Sequence, residues 1–228
     1  LRMNDSHYLA TNGAASKFVT DHSEYQINAT SKRLDFAKAP VRNYMKNYIT
    51  ELARDYDING IELDFLRDVQ YFSNADTDES RKVMSDWLKE VRASVDEARQ
   101  GTKIYGRVYI TEEKSKQIGL DAAQWIADGS VDGIIISGYD DMSGDYPVKE
   151  WRESIAAKNT ENNEYKLIVG GSNYIGCSQA YNQWGMFTDP NTLKGIASSA
   201  YAQGADGVYT FNMYNISDSY YTEVKPDG

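Results

Sequence analysis

Apolar residues along this chain switch between two periods. Over 41–56, Val41, Met45, Ile49, Leu52 and Tyr56 recur on one helical face, with Pro40 suited to the first turn. Over 60–65, Ile61, Leu63 and Phe65 alternate with Glu62 and Asp64, the signature of a strand with two different faces. The pair of patterns then repeats. A helix over 79–99, with Val83, Trp87, Val91 and Val95 at four-residue spacing, leads to a strand over 103–110. Helices over 119–128, 148–158 and 191–203 lead in turn to strands over 132–139, 166–171 and 207–214. Asn59-Gly60, Asp132-Gly133 and Asp206-Gly207 stand at strand entrances, so these strands are predicted to start at equivalent places.

Helices alternating with short strands predict parallel β-α units. Residues 1–5 read as one more strand, which makes six, and a (β/α)8 TIM-type barrel needs eight. The expectation is a single α/β barrel domain over 1–228 that begins inside the barrel and lacks its first two strands. The alternative is an open doubly wound sheet, which six strands satisfy as they stand. Two polar stretches, 6–39 and 175–189, read as long loops over one face, the second carrying Tyr181, Trp184 and Phe187.

Composition bounds the partners. The 228 residues are 41% hydrophobic with no long apolar run, enough for one sizeable core and not for a membrane-spanning helix. A net charge of −10 argues against a nucleic-acid or anionic-membrane surface and favours a neutral or cationic partner. Cys177 is the single cysteine, which excludes an intramolecular disulfide and a cysteine-based metal site, and His7 and His22 are too few for a His-rich centre. No metal is expected. No Gly-x-Ser-x-Gly, Gly-x-Gly-x-x-Gly or Gly-Lys-Ser motif is present, so no nucleotide or dinucleotide cofactor is expected either. Eighteen tyrosines and four tryptophans suit surfaces that stack on sugars.

In either fold, ligands gather at the carboxyl ends of parallel strands. Those ends collect Arg2, Asn4 and His7, then Glu62, Asp64 and Arg67, then Arg107, Tyr109, Thr111 and Glu112, then Ser137, Tyr139 and Asp140, then Tyr174, then Thr210, Asn212 and Tyr214. Glu62 and Asp64, two apart on one strand face, have Cα atoms about 6.6–7 Å apart. Carboxyl pairs in glycoside hydrolysis stand roughly 5–9.5 Å apart, and close like charges push one pKa up as a proton donor requires. Set against this, Glu62 reads equally as the buried partner of Arg107, leaving Asp64 alone to reach substrate. Glu112 reads both as a second acid across the mouth and as part of a capped helix start, Thr111-Glu112-Glu113-Lys114. Arg67 reads as a clamp on a carboxylate or as a surface arginine, and Tyr174 and Trp184 as a sugar-stacking wall or a plug over the core.

The segment 59–67 with its preceding helix, together with 1–5, Gly106-Arg107-Val108, and Ile118-Gly119-Leu120-Asp121 followed by Trp125 and Val131-Asp132, resembles the glycosyl-hydrolase-like barrel proteins called family 10-like. That resemblance implies a (β/α)8 glycosidase-type barrel of unsettled activity, with 1–5 as about its third strand. Segment 59–67 is also similar to the fourth-strand pattern of family 18 chitinases, Asp-Gly-Ile-Asp-Ile-Asp-Trp-Glu. Leu66 stands where that pattern has its catalytic Glu, and 166–171 ends without the nucleophile of the large retaining-glycosidase clan. The expected function is a glycosidase acting on a polysaccharide or glycoconjugate, with Asp64 as the main catalytic group and Glu62 or Glu112 as its partner. Arg2, Asn4, His7, Arg67, Arg107, Tyr139, Asp140 and Asn212 would orient hydroxyls. The alternatives are a catalytically silent carbohydrate-binding barrel and another hydrolase or lyase on the same scaffold. A polysaccharide substrate implies an extracellular or periplasmic location.

Overall fold

A computed structural model of the chain describes residues 1–4, 17–28, 32–138, 145–158, 164–172, 174–175, 186–187 and 190–211. Its frame is a parallel sheet of five strands, β1 (Gly60–Asp64), β2 (Lys103–Tyr109), β3 (Gly133–Ser137), β4 (Lys166–Ser172) and β7 (Gly207–Phe211), curled into half of a barrel. The strands follow in strict chain order. A doubly wound sheet reverses its order at a switch point, so the open-sheet alternative is corrected to a barrel arrangement. Of the strand expected over 1–5, residues 1–4 are described, and a single parallel bridge joins Arg2 to Asp64, with Asp64 N donating to Leu1 O and Met3 N to Asp64 O.

The helices are α1 (Lys17–Asp21), α2 (Ala39–Asp55), α3 (Asp78–Ala98), α4 (Glu112–Gln117), α5 (Ala122–Ala127), α6 (Val148–Ala157) and α7 (Pro190–Ala202). The expected helix over 119–128 is instead the pair α4 and α5. Gly119, at a φ of 85°, turns the chain between them, and the Asp121 carboxylate caps α5 by accepting from Gln124 N. The stretch read as a long loop over 6–39 contains α1, a short 3-10 turn and a bridge between Gln26 and Leu34. At the edges of the stretch 175–189, β5 (Tyr174–Ile175) and β6 (Met186–Phe187) form a small antiparallel ladder.

The core lies on one side of the sheet. Ile61, Leu63, Ile104, Val108, Ile134, Ile136, Leu167 and Val169 form one buried cluster with the apolar faces of α2, α3, α5 and α6. Three buried tryptophans fill it, and each keeps its indole N–H bonded: Trp87 to Arg42 O, Trp125 to Ser85 Oγ and Trp151 to Ile110 O. Gly106 lets the Trp125 ring close onto β2, since a Cβ there would lie 3.2 Å from it. The alternate residues of the strands face the other way, into the barrel.

The Asp-Gly strand entrances share one device. Asp132, just before β3, accepts from Ile104 N and pairs with Lys103 and with Arg92 of α3. Asp206, just before β7, accepts from Leu167 N and pairs with Lys166 and with Arg152 of α6. Each aspartate thus ties its own strand to the second residue of the preceding one, which sets the register at the amino-terminal end of the sheet. Burial opposes ionisation of Asp206, but the Leu167 N–H and Arg152 outweigh it and hold its pKa below the ordinary aspartate value.

This linkage has a definite sign. A depressed pKa contributes stability that is present above the unfolded value and lost as the pH falls through the folded one. Asp206→Ala also strands the Leu167 N–H, at a cost of about 1–3 kcal/mol. Urea denaturation should show that deficit at pH 7 and a smaller one at pH 3.

Candidate functional site

The inward row of β1 holds Glu62 and Asp64, and the register sets Glu62 beside Tyr105 and Asp64 beside Arg107 of β2. Arg107 is 7% exposed. Its guanidinium lies between the two acids, Nη1 standing 3.8 Å from Glu62 Oε1 and 4.0 Å from Asp64 Oδ2. Nη2 donates to Ser137 Oγ at 3.2 Å, and that hydroxyl donates on to Gly170 O at 3.1 Å. Tyr146 OH donates to the same carbonyl, and the guanidinium carbon sits 5.2 Å from the centre of the Tyr209 ring. One cation therefore stands beside both carboxylates: the expected pairing of Glu62 with Arg107 is present, and Asp64 lies beside the same guanidinium.

The backbone aims these groups. Asp64 Oδ1 accepts from Leu66 N at 2.9 Å, a turn that fixes one carboxylate oxygen and leaves Oδ2 toward Arg107. Phe65 N donates to Arg107 O, which continues the ladder one residue past β1. Beneath the turn, the buried Tyr71 hydroxyl donates to Phe65 O. On β4, Gly170 leaves room for the network, because a Cβ there would lie 2.9 Å from the Ser137 side chain.

Burial pushes the Glu62 carboxyl above the ordinary glutamate value; Arg107 opposes this and the like charge of Asp64 reinforces it. The Tyr209 hydroxyl is likewise raised, by burial first and by Glu62 next. A carboxyl whose pKa burial raises, standing beside a second carboxyl and a guanidinium common to both, is the chemical content of the site.

The remaining predicted residues divide. Asn4 is buried, and its amide is taken up by backbone, accepting from Leu34 N and donating to Leu34 O and Gln70 O, so it fastens the 32–35 segment. Arg2 lies at the bridge to Asp64. Glu112 occupies the first turn of α4, capped by Thr111, and pairs with Lys116 at 2.5 Å. Arg67, in the turn past β1, lines a cavity of about 720 Å³ with Leu66, Asp68, Tyr109, Lys114 and Gln117 among its walls. Tyr174 lies in β5, and His7, Tyr139, Asp140, Trp184 and Asn212 fall outside the described residues. Among the described residues, no three His, Cys, Asp or Glu side chains form a metal-binding group.

Sequence reasoning missed Tyr209, Gly170 and Tyr146. For β7 it chose the phase of Thr210, whereas the register places Tyr209 beside Gly170 and leaves Thr210 exposed. Val208, Tyr209, Thr210 and Phe211 all favour strands, so either phase fits the sequence.

No protein-family model and no curated protein matches the chain. Solved structures do resemble it. A chitinase from Chromobacterium violaceum superposes with a TM-score of 0.53 at 15% identity, covering 82% of this chain and 71% of the chitinase. The endo-β-1,4-mannanase from Thermotoga petrophila gives 0.52 at 13% identity, covering 90% and 45%. A spore cortex-lytic enzyme from Bacillus megaterium gives 0.52 at 9% identity, covering 77% and 50%. The chain thus spans about half the length of the last two. At these identities the likeness is one of fold: the chain has a glycosidase-like α/β barrel architecture.

The raised Glu62 pKa carries the opposite sign to that of Asp206. Its contribution is fully present below the unfolded glutamate value and is lost as the pH rises through the folded one. Glu62→Gln should therefore gain stability relative to the wild type between pH 4 and pH 7, read by urea denaturation at both.

Proposed function

We propose that this chain is a glycoside hydrolase acting on a polysaccharide or glycoconjugate, with Asp64 and Glu62 as its catalytic carboxyls. The observation that carries the reading is the pair of inward carboxyls sharing Arg107, with Glu62 shifted toward its protonated form. In this scheme Glu62 gives its proton to the glycosidic oxygen as the bond to the anomeric carbon breaks. The Asp64 carboxylate faces the positive charge that develops on the sugar, water supplies the new bond to carbon, and its proton restores Glu62. Arg107, with the Leu66 N–H, holds Asp64 in place. The likeness to chitinase, mannanase and cortex-lytic folds agrees with a carbohydrate substrate, by analogy of fold. Such a substrate implies action outside the cytoplasm.

A second reading, carbohydrate binding without hydrolysis, draws on the same cluster. A guanidinium shared by both acids also locks them, and Glu112, the other acid considered, is paired with Lys116. Hydrolysis of a broad glycan panel by the wild type and by Asp64→Asn separates the two. The hydrolase reading expects cleavage of at least one glycan and a loss of at least about 100-fold in kcat for a variant that stays folded. A wild type that binds glycans and cleaves none establishes the second reading in its place.

A further inference from the structure

Tyr209 carries a hydroxyl that the packing of the site does not use. In the register row Ser137, Gly170, Tyr209, the middle position has no side chain. The Arg107 guanidinium reaches Ser137 Oγ on one side and comes within 5.2 Å of the Tyr209 ring centre on the other. Packing thus accounts for the ring, and a phenylalanine ring would receive the cation in the same way. The phenol oxygen has no such explanation. Tyr71 and Tyr146, the buried tyrosines around the site, each donate to a main-chain carbonyl, Phe65 O and Gly170 O. Tyr209 is half-buried, and its hydroxyl makes no hydrogen bond among the described residues.

The charges around this hydroxyl fix its chemical role. Burial opposes its ionisation first, the charge of Glu62 next, and Asp64 adds to both, while Arg107 acts the other way. The phenol therefore stands within electrostatic reach of the two acids and holds its proton at any pH where carboxyls titrate. It is a donor, not a nucleophile. A half-buried donor beside the carboxyl pair takes its acceptor from whatever occupies the site, and a sugar unit presents oxygens there.

We infer that Tyr209 is a substrate-contacting residue, its hydroxyl donating a hydrogen bond to an oxygen of the sugar unit that sits against Glu62 and Asp64. The inference rests on the proposed function and supplies it with a specificity-determining group. A site built to bond a sugar oxygen rejects the analogue that lacks it, because the donor is left without a partner.

The test compares the wild-type chain with Tyr209→Phe, which keeps the ring beside Arg107 and removes the donor, on oligomers of chitin, mannan, cellulose, xylan and peptidoglycan. For the oligomer that the wild type cleaves, or binds where it cleaves none, kcat/KM or affinity should fall about three- to tenfold. Monodeoxy analogues of that oligomer locate the contact: one of them should lose this factor with the wild type and nothing further with Tyr209→Phe, a coupling that a merely structural role does not produce. The titration of the Glu62 carboxyl should be the same in both proteins, since Arg107 keeps its ring. Should Tyr209→Phe unfold, the Tyr209 Cζ signal of the wild type, followed by NMR, should shift on saturation with the same oligomer. Unchanged rate and affinity in the folded variant, or an unmoved Cζ signal at saturation, overturns the contact and leaves the hydrolase reading standing. A wild type that neither binds nor cleaves any of these oligomers overturns both.

Discussion

The shared guanidinium of Arg107 is the interaction on which the inward face depends. Glu62 and Asp64 project from the same face of one strand, partly removed from water, and the like charge of Asp64 adds to the cost of ionising Glu62. A cation at the neighbouring inward position offsets that cost, and the parallel register supplies it by setting Arg107 beside Asp64. Arg107 in turn is buried, so it needs partners of its own: the two acids, the Ser137 hydroxyl and the Tyr209 ring provide them. Taking one partner from such a cluster costs more than the net contribution of the cluster, because charge is left buried without a counter-charge.

Register is therefore the link between the ordinary parts of the fold and the site. At the amino-terminal end of the sheet, Asp132 and Asp206 clamp neighbouring strands through backbone N–H groups and paired cations. At the carboxyl-terminal end, the same register brings Asp64, Arg107, Ser137, Gly170 and Tyr209 to the same face. The strand clamps stand at one end of the half-barrel and the acid–guanidinium cluster at the other, the end where parallel β/α barrels gather their ligands.

Much of this was legible in the sequence, for physical reasons that differ by residue. The alternation of Ile61, Leu63 and Phe65 with Glu62 and Asp64 revealed which side chains face inward, because period two leaves no other choice. Arg107 was recognisable as a partner because a buried cation demands one. The backbone partners of Asn4, Leu34 and Gln70, lie 30 and 66 residues away, and no local pattern encodes them. Tyr209 was missed because a run of strand-favouring residues has no phase until its neighbour fixes one. The break between α4 and α5 was signalled by Gly119 and Asp121, yet a period count over so short a stretch joins the two turns into one helix.

The most direct test of the shared-cation arrangement is the titration of the Glu62 carboxyl carbon by NMR in the wild type, in Asp64→Asn and in Arg107→Met. The account predicts a midpoint above the ordinary glutamate value in the wild type, a lower one when the charge of Asp64 is removed, and a higher one when Arg107 is removed. A wild-type midpoint at the ordinary value that neither substitution moves would contradict it.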